Sequence, residues 1–360
     1  MRSVYVHIPF CKSICSYCDF CKFLHNPMWE NIYLDSLEKE IDKYYEGDTV
    51  KTIYIGGGTP SCLSIGAINK LFNILNKIKL SNTYEITFEC NVNDINDELL
   101  NTLSLYGVNR LSIGIESFNE KNLEFMNRHH NKKEIIEKIK LCRTYDFDNI
   151  NVDLIYALPT EKLFTLKRDL NNMLKLGVEH ISTYSLIIEP HTLIYNQKVK
   201  SIDEELDYKM YKYICKKLNK KGFHHYEVSN FSKPGYESIH NLTYWNNEEY
   251  YGFGLGAHGY INEMRYENTR NFNKYIKEEF RFDELLVSFQ EEMENELILG
   301  LRKLDGISIV KFKEKFDRDI FVTFKIKDAL DKGYLLLKDD MLYIPENKIY
   351  VMNEIINMIM

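Results

Sequence analysis

The strongest constraint on how this chain folds is an alternation: strand-type and helix-type patterning replace one another six times between Ser3 and Ile188. Runs rich in β-branched and aromatic residues mark strands at Ser3 to Ile8, Val50 to Ile55, Tyr84 to Cys90, Arg110 to Ile115, Asn149 to Ile155 and His180 to Ile188. Between them apolar residues recur at helical spacing. Leu34, Leu37, Ile41 and Tyr44 follow the cap and proline at Asn26-Pro27, and Ile68, Leu71, Leu75 and Ile78 follow Ser64. Further helices are predicted at Asn96 to Tyr106, closed by Gly107, at Lys132 to Tyr145 and at Leu163 to Leu176. A helix that returns the chain to start the next strand in the same direction builds a parallel sheet. The expectation is therefore α/β, either an open doubly wound sheet or a partial (β/α)6 barrel, with sites gathered where the strands end.

The chemically unusual residues fall at those ends. Cys11, Cys15 and Cys18, spaced C-x-x-x-C-x-x-C, follow the first strand, and Gly56-Gly57-Gly58-Thr59-Pro60 follows the second. Glu89 ends the third, Glu116 follows the fourth, Asp153 lies near the end of the fifth, and Tyr184 and Ser185 lie within the sixth. Three thiolates in one short loop suit an iron-sulfur cluster, and three rather than four leave one iron open to a small molecule. Two blander readings fit the same cysteines. They fit one face of a helix as small buried hydrophobes, against which Pro9 and Asp19 count, or they bind zinc with a fourth ligand from Cys21, His7 or His25. The glycine run either lets a ligand approach and offers N–H groups to an anion, or makes a tight strand-to-helix turn. It lacks both G-K-[ST] and G-x-G-x-x-G. Arg128 suits a carboxylate and Asp153 suits ribose hydroxyls, and each equally suits an ion pair on the rim.

After Glu189-Pro190 the rhythm breaks. A helix is predicted from Asp203 to Lys221, then come H-N-L-T-Y-W at His240 to Trp245 and Y-Y-G-F-G-L-G-A-H-G-Y at Tyr250 to Tyr260. Histidine among aromatics suits an axial heme ligand, or a buried hydrogen-bonded ring of the kind expected for His258 taken alone. From Arg281 the pattern is helix at Phe289 to Leu301, turn and cap at Gly306-Ile307-Ser308, and a hairpin about Asp339-Asp340, a winged-helix-like order. Its many acids and lack of a dense basic face favour packing or partner contact over nucleic acid, as does the net charge of -7. The boundaries drawn are 1–190, 191–280 and 281–360. No apolar run approaches the length of a membrane span, and M-R-S-V-Y-V-H-I enters a strand directly, so a cytoplasmic protein is expected. Eight cysteines, three of them clustered, suit a reducing compartment and a metal.

Tyr17 directly before the third cysteine, Y-V-H-I-P-F-C at Tyr5 to Cys11, and G-G-G-T-P resemble the radical S-adenosylmethionine superfamily and, within it, the HemN/HemW family. The resemblance covers essentially the whole chain, most weakly in the tail. It implies that Cys11, Cys15 and Cys18 hold a [4Fe-4S] cluster whose open iron takes S-adenosylmethionine. Gly57, Gly58 and Thr59 would contact the methionine end, with Tyr5, Glu89 and Ser185 as further neighbours. A second cofactor pocket maps onto Tyr17, Gly58, Thr59, Arg128 and Asp153, with Glu116 where relatives usually carry glutamine. A carboxylate there repels an anionic ligand unless Arg128 neutralises it. C-D-F at Cys18 to Phe20 puts Phe20 where the family's oxidases have a cysteine; this and H-N-x-x-Y-W point to its heme chaperones. His240, Tyr244 and Trp245 would then contact heme as cargo for an acceptor protein, with a membrane-associated acceptor and a dimer among the arrangements implied. The alternative is oxygen-independent oxidative decarboxylation of coproporphyrinogen III.

Overall fold

The computed structural model describes all 360 residues, Met1–Met360. In chain order the first part runs β1 (Arg2–Ile8), β2 (Phe10–Cys11), β3 (Phe23–Leu24), α1 (Pro27–Tyr44), β4 (Thr49–Gly57), α2 (Ile65–Leu75), β5 (Lys79–Asn91) and α3 (Asp97–Leu105). It continues through β6 (Arg110–Glu116), α4 (Glu120–Phe125), α5 (Lys132–Thr144), β7 (Ile150–Tyr156), α6 (Leu163–Leu174) and β8 (His180–Ser185). β1, β4, β5, β6, β7 and β8 pair in parallel, neighbour to neighbour, which is the partial (β/α)6 barrel.

Local chemistry sets the helix starts. The side chain of Asn26 accepts from Met28 N ahead of α1, Ser64 from Ala67 N ahead of α2, and Asn96 from Leu99 N ahead of α3. Asn131 and Glu134 form a capping box on α5. Strand alternation sets the layers. Val4, Val6 and Ile8 of β1, Leu111, Ile113 and Ile115 of β6, and Val152 and Leu154 of β7 make an aliphatic face. It packs on the helices, as Phe72 of α2 stacks on Phe88 of β5 at 6.2 Å. The intervening positions, Tyr5 and His7, Thr87 and Glu89, Arg110 and Ser112, Asn151 and Asp153, make the other face polar.

The chain goes on with α7 (Leu193–Asn196), α8 (Glu204–Asn219), β9 (His224–Glu227), β10 (Asn230–Ser232), α9 (Ile239–Trp245), β11 (Tyr250–Phe253), β12 (His258–Ile261), β13 (Met264–Asn268), α10 (Phe272–Tyr275) and β14 (Arg281–Leu286). β11 lies parallel beside β1, with Ser3 opposite Tyr250 and Val6 opposite Phe253, and β12 pairs antiparallel with β11 and β13. The barrel sheet therefore continues as β14-β13-β12-β11-β1-β4-β5-β6-β7-β8. The glycine-rich stretch at 250–260, read from sequence as a ligand setting, is a strand pair. Its glycines obscured the strand pattern, and one is forced by the pairing: a Cβ on Gly252 would fall 1.8 Å from His258 O. A buried carboxylate, Glu40 of α1, clasps this addition. It accepts from Gly254 N, Asn268 Nδ2 and Tyr275 OH, and burial pushes it up to about 7.

The chain forms two compact units, 1–210 with 249–285, and 211–248 with 286–360, so residues 191–280 are shared between them. In the second unit α11 (Phe289–Gly300) starts at a Ser288–Glu291 capping box and precedes short helices at Ile309–Phe316, Ile320–Thr323 and Ile326–Asp331. Leu336–Lys338 and Met341–Tyr343 form the expected hairpin, with Ile307–Ser308 added on the Met341–Tyr343 side. Elsewhere β5 begins at Lys79, before the expected Tyr84, and β8 ends at Ser185, short of Ile188.

Candidate functional site

The cysteine loop is tied down at several points. β2 and β3 close its base, with Phe23 N donating to Pro9 O at 2.7 Å and His25 N to Cys11 O at 2.9 Å. The turn after α4 grips its middle: Ser16 Oγ donates to Phe125 O, and Asn127 Nδ2 to Ser13 Oγ and Ile14 O. Ile194 N donates to Ser16 O from the other side, and Tyr17 packs against Leu123, Met126, Ile155, Leu158, Leu186 and Ile194. All three cysteines are free thiols, Cys11 buried and Cys15 and Cys18 half-buried. Thr59 Oγ1 donates to Cys11 Sγ at 3.5 Å and Arg128 Nη1 to Cys15 Sγ at 3.7 Å. A hydroxyl and a guanidinium aimed at sulfur favour thiolate, the form that binds iron. Without a metal, burial pushes the Cys11 thiol up to about 11 and raises that of Cys18. A structural zinc needs a fourth ligand, and of the candidates His7 meets Tyr5 OH and Cys21 O, His25 meets Glu30, and Cys21 turns its Sγ toward Arg270 O. A four-iron cube instead takes each thiolate on a separate corner, and the donor set fits that group.

The glycine run serves this loop. Gly58 N donates to Ile8 O at 2.8 Å, Thr59 N to Phe10 O at 2.7 Å, and Gly57 N to Glu89 Oε2 at 3.1 Å. The backbone donors of the run therefore hold the cysteine strand and the Glu89 carboxylate. Contact is so close that a Cβ on Gly57, whose φ is +108°, would lie 2.5 Å from the His7 ring, and one on Gly58 would lie 2.7 Å from Phe10 O.

Beside the loop three carboxylates share one polar face, Glu116 buried and Glu89 and Asp153 half-buried. Glu89 accepts from Tyr54 OH at 2.7 Å, and burial pushes it up to about 7. Asp153 accepts from Asn151 Nδ2 at 2.9 Å and is raised by burial. Glu116, at φ +65°, is pushed by burial up to about 7 although Arg128 Nη2 stands 3.7 Å from its Oε1. Arg128 is thus the positive neighbour of Glu116, and it also donates to Gly114 O. Tyr5 OH meets His7 Nδ1 at 3.0 Å, and His7 Nε2 meets Cys21 O at 2.7 Å. Ser185 Oγ donates to Asp207 Oδ2 at 2.6 Å.

The sequence reading passed over Tyr54, Asp207 and Arg110. The signal for Tyr54 and Arg110 was polar residues at alternate positions of buried strands; Asp207 sits on a helix with no such mark. In the second unit His240 is 1% exposed, its Nε2 2.7 Å from Tyr244 OH one helical turn on. Arg302 lies over the Trp245 ring at 5.6 Å. His258 in the first unit is instead 61% exposed at the side chain and faces Glu267 at 3.8 Å, not buried as expected.

Residues 5–176 match the Radical SAM superfamily and residues 287–348 match the HemN C-terminal domain. The chain is 39% identical to the heme chaperone HemW of Bacillus subtilis, across 99% of this chain and 98% of that one. It is 41% identical to the heme chaperone HemW of Lactococcus lactis, across 88% and 85%. The solved coproporphyrinogen III oxidase HemN of Escherichia coli superposes with a TM-score of 0.86 over 99% of this chain and 89% of that one, at 20% identity, a likeness of fold.

Proposed function

The chain belongs to the HemW heme chaperone family within the radical SAM superfamily, and on that premise we propose that it binds heme and delivers it to an acceptor protein. The observation that carries this reading is identity to heme chaperones along nearly the whole chain. Phe20, 60% exposed, stands where the oxidases of the resembled family carry a cysteine, which argues against coproporphyrinogen decarboxylation.

Cys11, Cys15 and Cys18 would hold a [4Fe-4S] cluster, with Thr59 and Arg128 supporting the sulfurs. When bound, cluster and S-adenosylmethionine supply one-electron chemistry that the protein orients. Tyr5, Gly57, Gly58, Thr59, Glu89 and Ser185 would flank the S-adenosylmethionine, and Tyr17, Glu116, Arg128 and Asp153 would line a second pocket. His240, Tyr244 and Trp245 would meet the heme; with His240 buried against Tyr244, iron reaches the imidazole after that hydrogen bond opens. The functional division follows the boundaries 1–190, 191–280 and 281–360. The protein would act in the cytoplasm on a soluble or membrane-associated acceptor, either as a monomer or as a dimer. No helix is long and apolar enough to cross a membrane.

Heme transfer tests the reading. The heme-loaded chain is mixed with apomyoglobin and the holo-acceptor followed by its absorption. Transfer faster than from free hemin in the presence of a competing non-acceptor protein is expected; no heme loading, or none passed on, would sink the proposal.

A further inference from the structure

Arg110 opens β6 and is 2% exposed, yet its Nε has no hydrogen-bond partner. The register fixes what it faces. Arg110 lies opposite Thr87, two residues before Glu89, and four residues before Gly114, which lies opposite Asp153. Residues separated by two along a strand share a face, so the guanidinium lies on the face of both carboxylates, toward the N-terminal ends of the strands. Taking an arginine out of water is unfavourable unless nearby negative charge offsets it. Glu89 and Asp153 are near enough that the charge of Arg110 draws each of them down. Ser112 Oγ, between Arg110 and Gly114, accepts from Asn151 Nδ2, which also donates to Asp153.

We propose that Arg110 is a positioning residue for the cofactor site, a fixed cation that favours the anionic, hydrogen-bond-accepting form of Glu89 and Asp153 toward S-adenosylmethionine. This rests on the reading above that Glu89 flanks the cofactor. An arginine that merely filled space would leave the carboxylates' charge state alone, whereas a cation shifts it. The other groups facing Glu89 are Tyr5 of β1, Tyr54 and Gly57 N of β4, Glu116 of β6 and Asp153 of β7, with Cys90 beside it on β5. Arg110 is the cation among those facing Glu89; Asp153 faces Arg128 as a second cation, with Asn151 of β7, Ser182 of β8 and Tyr54 of β4 beside it, so Glu89 is the group on which Arg110 acts alone.

The test measures S-adenosylmethionine binding to the cluster-reconstituted full chain by equilibrium dialysis across the neutral pH range, with cluster absorption read on the same samples. Wild-type binding should weaken as pH falls through about 7, where Glu89 takes up its proton. Arg110→Gln should move that midpoint up by about one pH unit, the usual size of such a charge effect, and Arg110→Lys should restore it. A Gln profile that superimposes on wild type, or a Lys variant that behaves like Gln, overturns the inference alone. A wild type that holds its cluster but binds no S-adenosylmethionine overturns the reading and the inference with it. If the Gln variant does not fold, Arg110→Met, neutral and of similar reach, takes its place: a midpoint moved up supports the proposal and an unmoved one refutes it.

Discussion

Arg128 Nη2 stands 3.7 Å from Glu116 Oε1 with both side chains buried, and the other terminal nitrogen of the same guanidinium reaches Cys15 Sγ at 3.7 Å. One cation thus links the end of β6 to the cysteine loop. Replacing Arg128 with Leu leaves a buried carboxylate alone and takes the positive neighbour from a thiol. The expected loss is about 3 kcal/mol in urea unfolding of the metal-free chain, together with slower cluster incorporation. Glu116→Gln keeps an acceptor facing Arg128 and should lose only about 1 kcal/mol. Equal losses from the two variants would contradict the asymmetry.

Buried carboxylates set the pH dependence of stability. Glu40, Glu89, Glu116, Glu161 and Glu227 are each pushed by burial up to about 7, above the value of about 4.3 expected in an unfolded chain. The native state therefore binds more protons, and the stability these groups give, complete below the unfolded value, is lost as pH rises through 7. His7 and His130, held down at about 4 by burial, act oppositely, but only below about pH 6.5. Urea midpoints of the metal-free protein should accordingly fall between about pH 6.5 and pH 8. A flat or rising profile would contradict this.

Cys21 is buried, with its Sγ toward Arg270 O at 3.9 Å and its Cβ against Gly256, so it stands apart from the thiols held by Thr59 and Arg128. Cys21→Ala should keep full iron content after anaerobic reconstitution. Cys11→Ala, Cys15→Ala and Cys18→Ala should each lose the visible cluster absorption. Retention of the cluster by Cys18→Ala, with loss on also replacing Cys21, would show that Cys21 can substitute.

His240 is buried and its imidazole is hydrogen-bonded to Tyr244. His240→Ala should weaken hemin binding by about tenfold or more, equivalent to at least about 1.4 kcal/mol. Tyr244→Phe, which removes the bond but leaves the ring, should speed hemin association. His258→Ala should leave affinity unchanged; a larger loss there than at His240 would move the heme ligand to the first unit.

Much of the barrel was legible because each strand alternates and each early helix carries its own cap, as at Asn26, Ser64 and Asn96. The cysteine loop was legible for the same local reason. The strands within residues 250–260 were not legible because a glycine such as Gly252, required by the close approach of His258 O, erases the pattern of apolar side chains that marks a strand. Sequence leaves open what the N–H groups of Gly57, Gly58 and Thr59 meet, because nothing local reveals that Glu89, Ile8 and Phe10 use them. The contact of Ser185 with Asp207 joins a strand to a distant helix, and no spacing within the chain records such a meeting.

The most direct test of the central claim is hemin titration of the anaerobically purified, cluster-reconstituted chain, with coproporphyrinogen and S-adenosylmethionine assayed in parallel. A protein that keeps its cluster, binds hemin stoichiometrically and leaves coproporphyrinogen untouched is the result this account predicts. A protein that ignores hemin and decarboxylates coproporphyrinogen would contradict it and make the chain an oxidase.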